Sequence, residues 1–139
     1  MVAYSFNKRF VGPIRAGLAA PNDPLYSGLP PKRQTIRAIG KRRHARPSET
    51  LQLYHGMRTK QCFKIGEAIC VDVHDITLWI GSDDVAINIE GKQLIGRHEA
   101  NLFAQADGFA DTRDMAAFWH DEHVGVEKFD GVCIKWRAR

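Results

Sequence analysis

Long apolar runs, cysteine, and acid near the beginning are all scarce in this chain of 139 residues. No stretch approaches the roughly 20 apolar residues that a membrane-spanning helix needs, and the opening MVAYSFNKRF lacks the apolar segment of a secretion signal. The expectation is a cytoplasmic protein with no membrane partner. The three cysteines, Cys62, Cys70 and Cys133, are an odd number, and their spacings match neither a disulfide framework nor a paired zinc knuckle. They read as small buried hydrophobes in a reducing compartment. The shortage of acid is local. Residues 1–60 hold 12 Lys and Arg against Asp23 and Glu49, a balance of +10; residues 61–139 hold 8 against 14 Asp and Glu, a balance of −6, and the two sum to the net +4. Clustered cations gain from releasing the counterions of a phosphate backbone, so this asymmetry points to a polyanion-facing side. A solvated basic face is the plainer alternative.

What is present is the composition of a globular protein, 44% hydrophobic and 26% charged, which argues against disorder. The length predicts one domain over 1–139. In VGPIRAG, Pro13 suits the first turn of a short helix and Gly17 its end. The segment 18–31 carries four of the six prolines and reads as a Pro-rich inserted loop. RQTIRA and TLQLYHG read as strands. CFKIGEAICVDVHDITLWI reads as two strands meeting near Gly66, with Ile69, Val71 and Val73 on one face and Cys70, Asp72 and His74 on the other. VAINIE and GKQLIG form a hairpin turned at Gly91. HEANLFAQA predicts a helix ending at Asp107-Gly108. Asp111 or Thr112 caps a second, with Met115, Phe118 and Trp119 on its apolar side. FDGVCIKW closes the chain as a strand through Val132, Ile134 and Trp136. The sum is an α+β fold of five to six mostly antiparallel strands with two to three flanking helices, on a curved sheet or small β-barrel.

The stretch PPKRQTIRAIGKRRHAR, residues 30–46, holds seven cations and no carboxylate. Thr35 and Arg37 are two apart, so a strand puts both on one face. Lys32, three before Thr35, joins them only if the chain bends, which Pro30 and Pro31 make credible. A desolvated lysine beside arginines loses affinity for its proton. It can then accept the proton of the Thr35 hydroxyl and make it a nucleophile, with Arg37 holding an anion or oxyanion. A structural strand with solvated ends is the bland alternative. GKRRHAR suits phosphate contact but is also what an ordinary charged loop looks like, with His44 either stacking on a base or exposed.

KRQTIR after a short helix, then ARPSETLQLYHGMR, ADGFAD leading into AAFWHDEHV, and FDGVCIKW together resemble the ASCH family of the PUA-like superfamily, over nearly the whole chain. Lys-x-x-Thr-x-Arg is the most specific element. The resemblance implies a small β-barrel flanked by helices that handles RNA or nucleotides. Some small members resemble N4-acetylcytidine amidohydrolases, with a lysine base, a threonine nucleophile and a glutamate acid. Carried over by position, these are Lys32, Thr35 and, in place of the glutamate, the shorter Asp107, with Glu99 and Glu122 as fallbacks. The family usually brings its glycine close to the lysine, whereas residues 18–31 intervene here. Its Gly-Asp turn before the second strand is Ser48-Glu49.

The remaining candidates are weaker. His120 and His123 stand at i and i+3 on a helix, but no third ligand is convincingly placed, so no metal or cofactor is expected. His55, His74 and His98 have no evident partners. Trp79 and Tyr54 suit core positions better than a stacking platform. The expected function is RNA or nucleotide binding in a basic cleft of Arg33, Arg37, Lys41, Arg42, Arg43, Arg46 and Arg58 around the Lys32 motif. The alternative is a hydrolase using Lys32, Thr35 and Asp107, either an amidohydrolase of N4-acylated cytidine or a ribonuclease acting at the ribose 2′-hydroxyl.

Overall fold

The computed structural model describes residues 2–139. Seven strands form one mixed sheet: β1 (Val2–Phe6), β2 (Gln34–Ala38), β3 (Thr50–His55), β4 (Phe63–Ile80), β5 (Val85–Ile89), β6 (Lys92–Gln93) and β7 (Lys128–Ala138). Three helices accompany them: α1 (Val11–Leu18), α2 (Arg97–Ala106) and α3 (Thr112–Glu122). All strand pairs are antiparallel except β1 with β3. The sheet runs β2-β7-β4-β3-β1, with β5 and β6 added along the far half of β4.

The organiser is β4, one strand of 18 residues where two were expected. It bends rather than breaks, because its register skips Ile65 opposite β3 and Val71 opposite β7. Such bulges raise local twist and curve a sheet. The bulge at Val71 also overturns the expected apolar face: Val71 is exposed, while Cys70 beside it is buried. Next to β4, the central β7 is covered on both faces, so Val132, Cys133 and Ile134 are all buried, as a doubly covered strand requires. Two of the cysteines are thus core residues, but Cys62 lies exposed in the turn before β4. Trp79 was expected inside and is 43% exposed, on the solvent side of β4 beside the Lys128 ammonium.

The hairpin between β5 and β6 turns at Glu90-Gly91, both with positive φ, the geometry that two-residue hairpins favour. The Asp111 carboxylate caps α3 by accepting from the Asp114 N–H. Met115 and Trp119 on that helix are buried, and Phe118 is half-buried. Segment 18–31 is not wholly irregular, since Pro24–Tyr26 makes one 3-10 turn capped by Asp23.

Ser48 sits at φ 77°, a left-handed conformation that disfavours any side chain. Its N–H donates to the Cys70 carbonyl and so pins the turn onto β4. Ser48→Gly is therefore expected to stabilise the fold by about 0.5–1 kcal/mol, read as a higher urea midpoint at unchanged slope. A lower midpoint would show that the serine carries an interaction of its own.

Candidate functional site

The strand β2 starts only at Gln34; the Arg33 carbonyl still accepts from the Trp136 N–H of β7, but the N–H groups before the strand follow other partners. The Lys32 N–H donates to the Pro13 carbonyl of α1 (2.9 Å), and the Arg33 N–H donates to the Ala106 carbonyl at the end of α2 (2.8 Å). The chain therefore bends before the strand begins. Lys32 escapes strict alternation and lines the same cavity as Thr35 and Arg37.

Asp107 reaches that cavity from the opposite side. It closes α2 as its C-cap, and the turn continues through Gly108 at φ 95°. A Cβ at Gly108 would stand 3.0 Å from both the Lys32 Cδ and a Phe10 ring carbon, so glycine lets the turn approach the lysine. Lys32 Nζ donates to the Asp107 carbonyl oxygen at 2.5 Å and lies 3.4 Å from Asp107 Oδ1. It also sits over the rings of Phe10 (4.6 Å) and Phe6 (5.7 Å).

Lys32, Asp107 and Thr35 are only 3%, 4% and 5% exposed. Burial is the main influence on both charged groups. It draws the Lys32 pKa below the ordinary lysine value, against the pull of Asp107, and lifts Asp107 above the ordinary aspartate value, against the pull of Lys32. The Gln34 amide also pulls Asp107 down, but its Nε2 lies outside hydrogen-bonding geometry with any acceptor, so this influence is weak. Both shifts bring the neutral forms nearer than they are in water, while the attraction within the pair works for the ionised forms. Burial also pushes the nearby Cys133 thiol up to about 12, leaving it unreactive.

Thr35 Oγ1 accepts from Arg37 Nε at 3.0 Å, and Arg37 Nη2 donates to the Ser5 carbonyl of β1 at 2.7 Å. Among the described residues no backbone ladder joins β1 to β2, so the Arg37 side chain bridges two strand edges. It is held between the rings of Tyr4 (5.1 Å) and Phe6 (4.8 Å). No hydrogen bond links Lys32 to Thr35 in this arrangement.

The cavity measures about 280 Å³, near the lower edge of the roughly 300–1,000 Å³ of small-molecule sites. Its polar lining is Lys32, Thr35, Arg37 and Asp107, and its aromatic lining comes from Phe6, Phe10, Phe109, Phe118, Trp119, His123 and Phe129. The His123 ring stacks on Trp119 with centroids 4.4 Å apart and planes at 22°. Phe10, Phe109 and Phe118 meet edge to face or tilted, and the Arg9 guanidinium lies 5.1–5.4 Å from all three rings.

The basic candidates divide. Arg37, Arg42 and Arg43 border a second cleft of about 500 Å³. Arg33 instead faces a hollow beside segment 18–31, and Lys41, Arg46 and Arg58 are exposed and line neither cavity of the site. Glu99 and Glu122 are exposed and do not reach Lys32. No residue of 18–31 lines the inner cavity. His44 is stapled in place: its Nε2 meets the Ala38 carbonyl at 2.7 Å and its Nδ1 the Tyr4 hydroxyl at 3.0 Å. His74 lies 3.1 Å from Asp72 and 3.6 Å from Glu90, and His55 meets the Phe6 carbonyl.

Residue by residue, the sequence did not mark His123 and the phenylalanines of α3 and the turn before it as a wall of this cavity. The only signal was the spacing of Trp119 and His123, four apart on one helical face. Comparison with family models, with curated proteins and with solved structures finds no match for the chain.

Proposed function

We propose that this chain is an RNA- or nucleotide-binding domain of the ASCH, PUA-like kind, its curved sheet being a small β-barrel and its inner cavity the seat of one base-like ring. The observation that carries this is the pairing of an aromatic lining with buried polar groups in one small cavity. A planar heterocycle has two faces to stack and an edge of donors and acceptors to satisfy, and such a cavity meets both needs. The cations of the first sixty residues supply the attraction for phosphate.

In a titration followed by tryptophan fluorescence, nucleotides and short single-stranded RNA should bind with an affinity that weakens steeply with salt. His123→Ala should cost about 1–3 kcal/mol of binding. Absence of binding even at low salt would sink the proposal and favour a protein-interaction role.

A second reading, hydrolysis of an N-acylated base such as N4-acylated cytidine, is favoured by the buried Lys32–Asp107 pair, which binding alone does not require. In this scheme the neutral Lys32 amine takes the Thr35 proton, and the oxygen attacks the acyl carbon. The carbon–nitrogen bond breaks as protonated Asp107 gives its proton to the departing nitrogen. Lys32 then returns a proton to Asp107, and water, deprotonated by the same amine, cleaves the acyl-threonine and restores the hydroxyl. The Arg37 Nε donor would stabilise the threonine oxygen as charge develops. Lys32 must first swing from the Asp107 carbonyl toward Thr35. Chromatography after incubation with acylated cytidines and with single-stranded RNA separates this from the ribonuclease variant. Thr35→Ala and Lys32→Ala should each lower turnover by at least about 10³-fold, and undiminished turnover in both would exclude the hydrolase.

A further inference from the structure

The second cleft adjoins the inner cavity, since Arg37 and Ala38 line both spaces. Its walls include Tyr4, Arg37, Ala38, Arg42, Arg43 and His44, and among the described residues no carboxylate lines it. The walls are built rather than loose. The Tyr4 hydroxyl receives the Ala45 N–H at 3.1 Å and can donate to His44 Nδ1, whose ring gives its other N–H to the Ala38 carbonyl. The His44 and Tyr4 rings lie nearly parallel, at 15°. Arg43 is fixed by two 2.7 Å bonds to the Glu49 carboxylate, which hold that carboxyl down at about 2.

Arg42 differs from its neighbour. Among the described residues it has no hydrogen bond or ion pair, and it stands exposed at the mouth. Arg37 has five N–H groups; one goes to Thr35 and one to Ser5, so three remain for a ligand. A guanidinium already held by two strands and two rings loses little freedom on gripping an anion.

We propose that this outer cleft is a phosphate subsite, so that the ligand is a nucleotide whose ring occupies the inner cavity while its phosphate ester lies across Arg37 toward Arg42. The proposal rests on the ring-binding function inferred above and adds what the ring is attached to. A free nucleoside would fill only the inner half, whereas its phosphorylated form would also meet an anion site of fixed geometry.

Titration calorimetry with the four ribonucleosides, N4-acetylcytidine, and the 5′- and 3′-monophosphates of each tests it. At least one monophosphate should bind about 10-fold or more tighter than its own nucleoside, the value of one charge-assisted contact. The position of the better phosphate, 5′ or 3′, gives the direction of the chain. Arg42→Ala should remove most of that gain and leave nucleoside affinity unchanged; being exposed and unpartnered, this residue can be changed without disturbing the fold. Equal affinity for nucleosides and both monophosphates would overturn the subsite while leaving the inner cavity intact as a ring site. A phosphate gain untouched by Arg42→Ala would place the anion elsewhere and overturn it as well. If neither nucleosides nor nucleotides bind, both this proposal and the ring-binding function fall together.

Discussion

Asp107→Leu is expected to destabilise the protein by about 3–5 kcal/mol, because it leaves the ammonium of Lys32 buried without the one carboxylate it meets among the described residues. For a chain of this length the melting temperature should drop by something on the order of 10–20 °C. Lys32 would keep its bond to the main-chain carbonyl at position 107, but a dipole offsets much less of the desolvation of a full charge.

The sign of the pH dependence follows from the direction of the Lys32 shift. Its folded pKa lies below its unfolded value, so between the two the unfolded chain binds more protons and stability rises with pH. Removing Asp107 removes the influence that holds the lysine's pKa up, which lowers the start of that window. The deficit of Asp107→Leu should therefore shrink as pH is raised from neutrality toward 10. Asp107 in the parent has the opposite shift: its folded pKa is raised, so its contribution is fully present below the ordinary aspartate value and lost as pH climbs through the folded one. Near neutrality an ionised pair is thus a net burden on the fold. Lys32→Met combined with Asp107→Leu, which fills the space with apolar atoms, should recover the loss and exceed the parent. Urea unfolding of the parent, the single and the double variant at several pH values checks all of this. A single variant within about 1 kcal/mol of the parent, or a double variant as weak as the single, would mean that the pair is not buried in the way described.

The sequence makes this site legible in part. Thr35 and Arg37 follow from alternation in a strand, and both do line one cavity. Lys32 could be placed only conditionally, since its bond to Pro13 depends on where α1 lies against residues 30–33, which is a tertiary fact. Asp107, 75 residues away, came from family resemblance and not from any local pattern. The continuity of β4 was hidden because a bulge breaks periodicity in the same way as a strand end does. His44 was illegible for another reason: both of its partners, Tyr4 and Ala38, lie on strands whose approach no stretch of sequence records. The aromatic side of the cavity looked like ordinary core, and by composition it is.

Gly17→Ala should be among the most damaging changes of a single methyl group. Gly17 was expected to end α1, yet the helix continues to Leu18, and the residue has another task. A Cβ there would stand 2.1 Å from the Lys32 carbonyl oxygen and 3.0 Å from its carbon. Both are main-chain atoms, so no rotamer change can relieve the overlap. The helix and the segment before β2 would have to separate, breaking the Lys32 N–H bond to Pro13 and shifting Lys32 itself. We expect a loss of at least about 3 kcal/mol, even though alanine favours helix over glycine by about 1 kcal/mol. Gly12→Ala is the matching control in the same helix: its Cβ would meet only the Leu29 Cδ1 at 3.2 Å, the end of an exposed side chain that can move aside. It should leave stability within about 1 kcal/mol of the parent. Chemical denaturation of the two variants side by side decides the matter, because they share a helix, a substitution and a propensity gain. They differ in whether the added methyl meets a side chain or the backbone that carries Lys32. If both variants unfold at the same denaturant concentration, the close approach of α1 to residue 32 is not what positions the lysine.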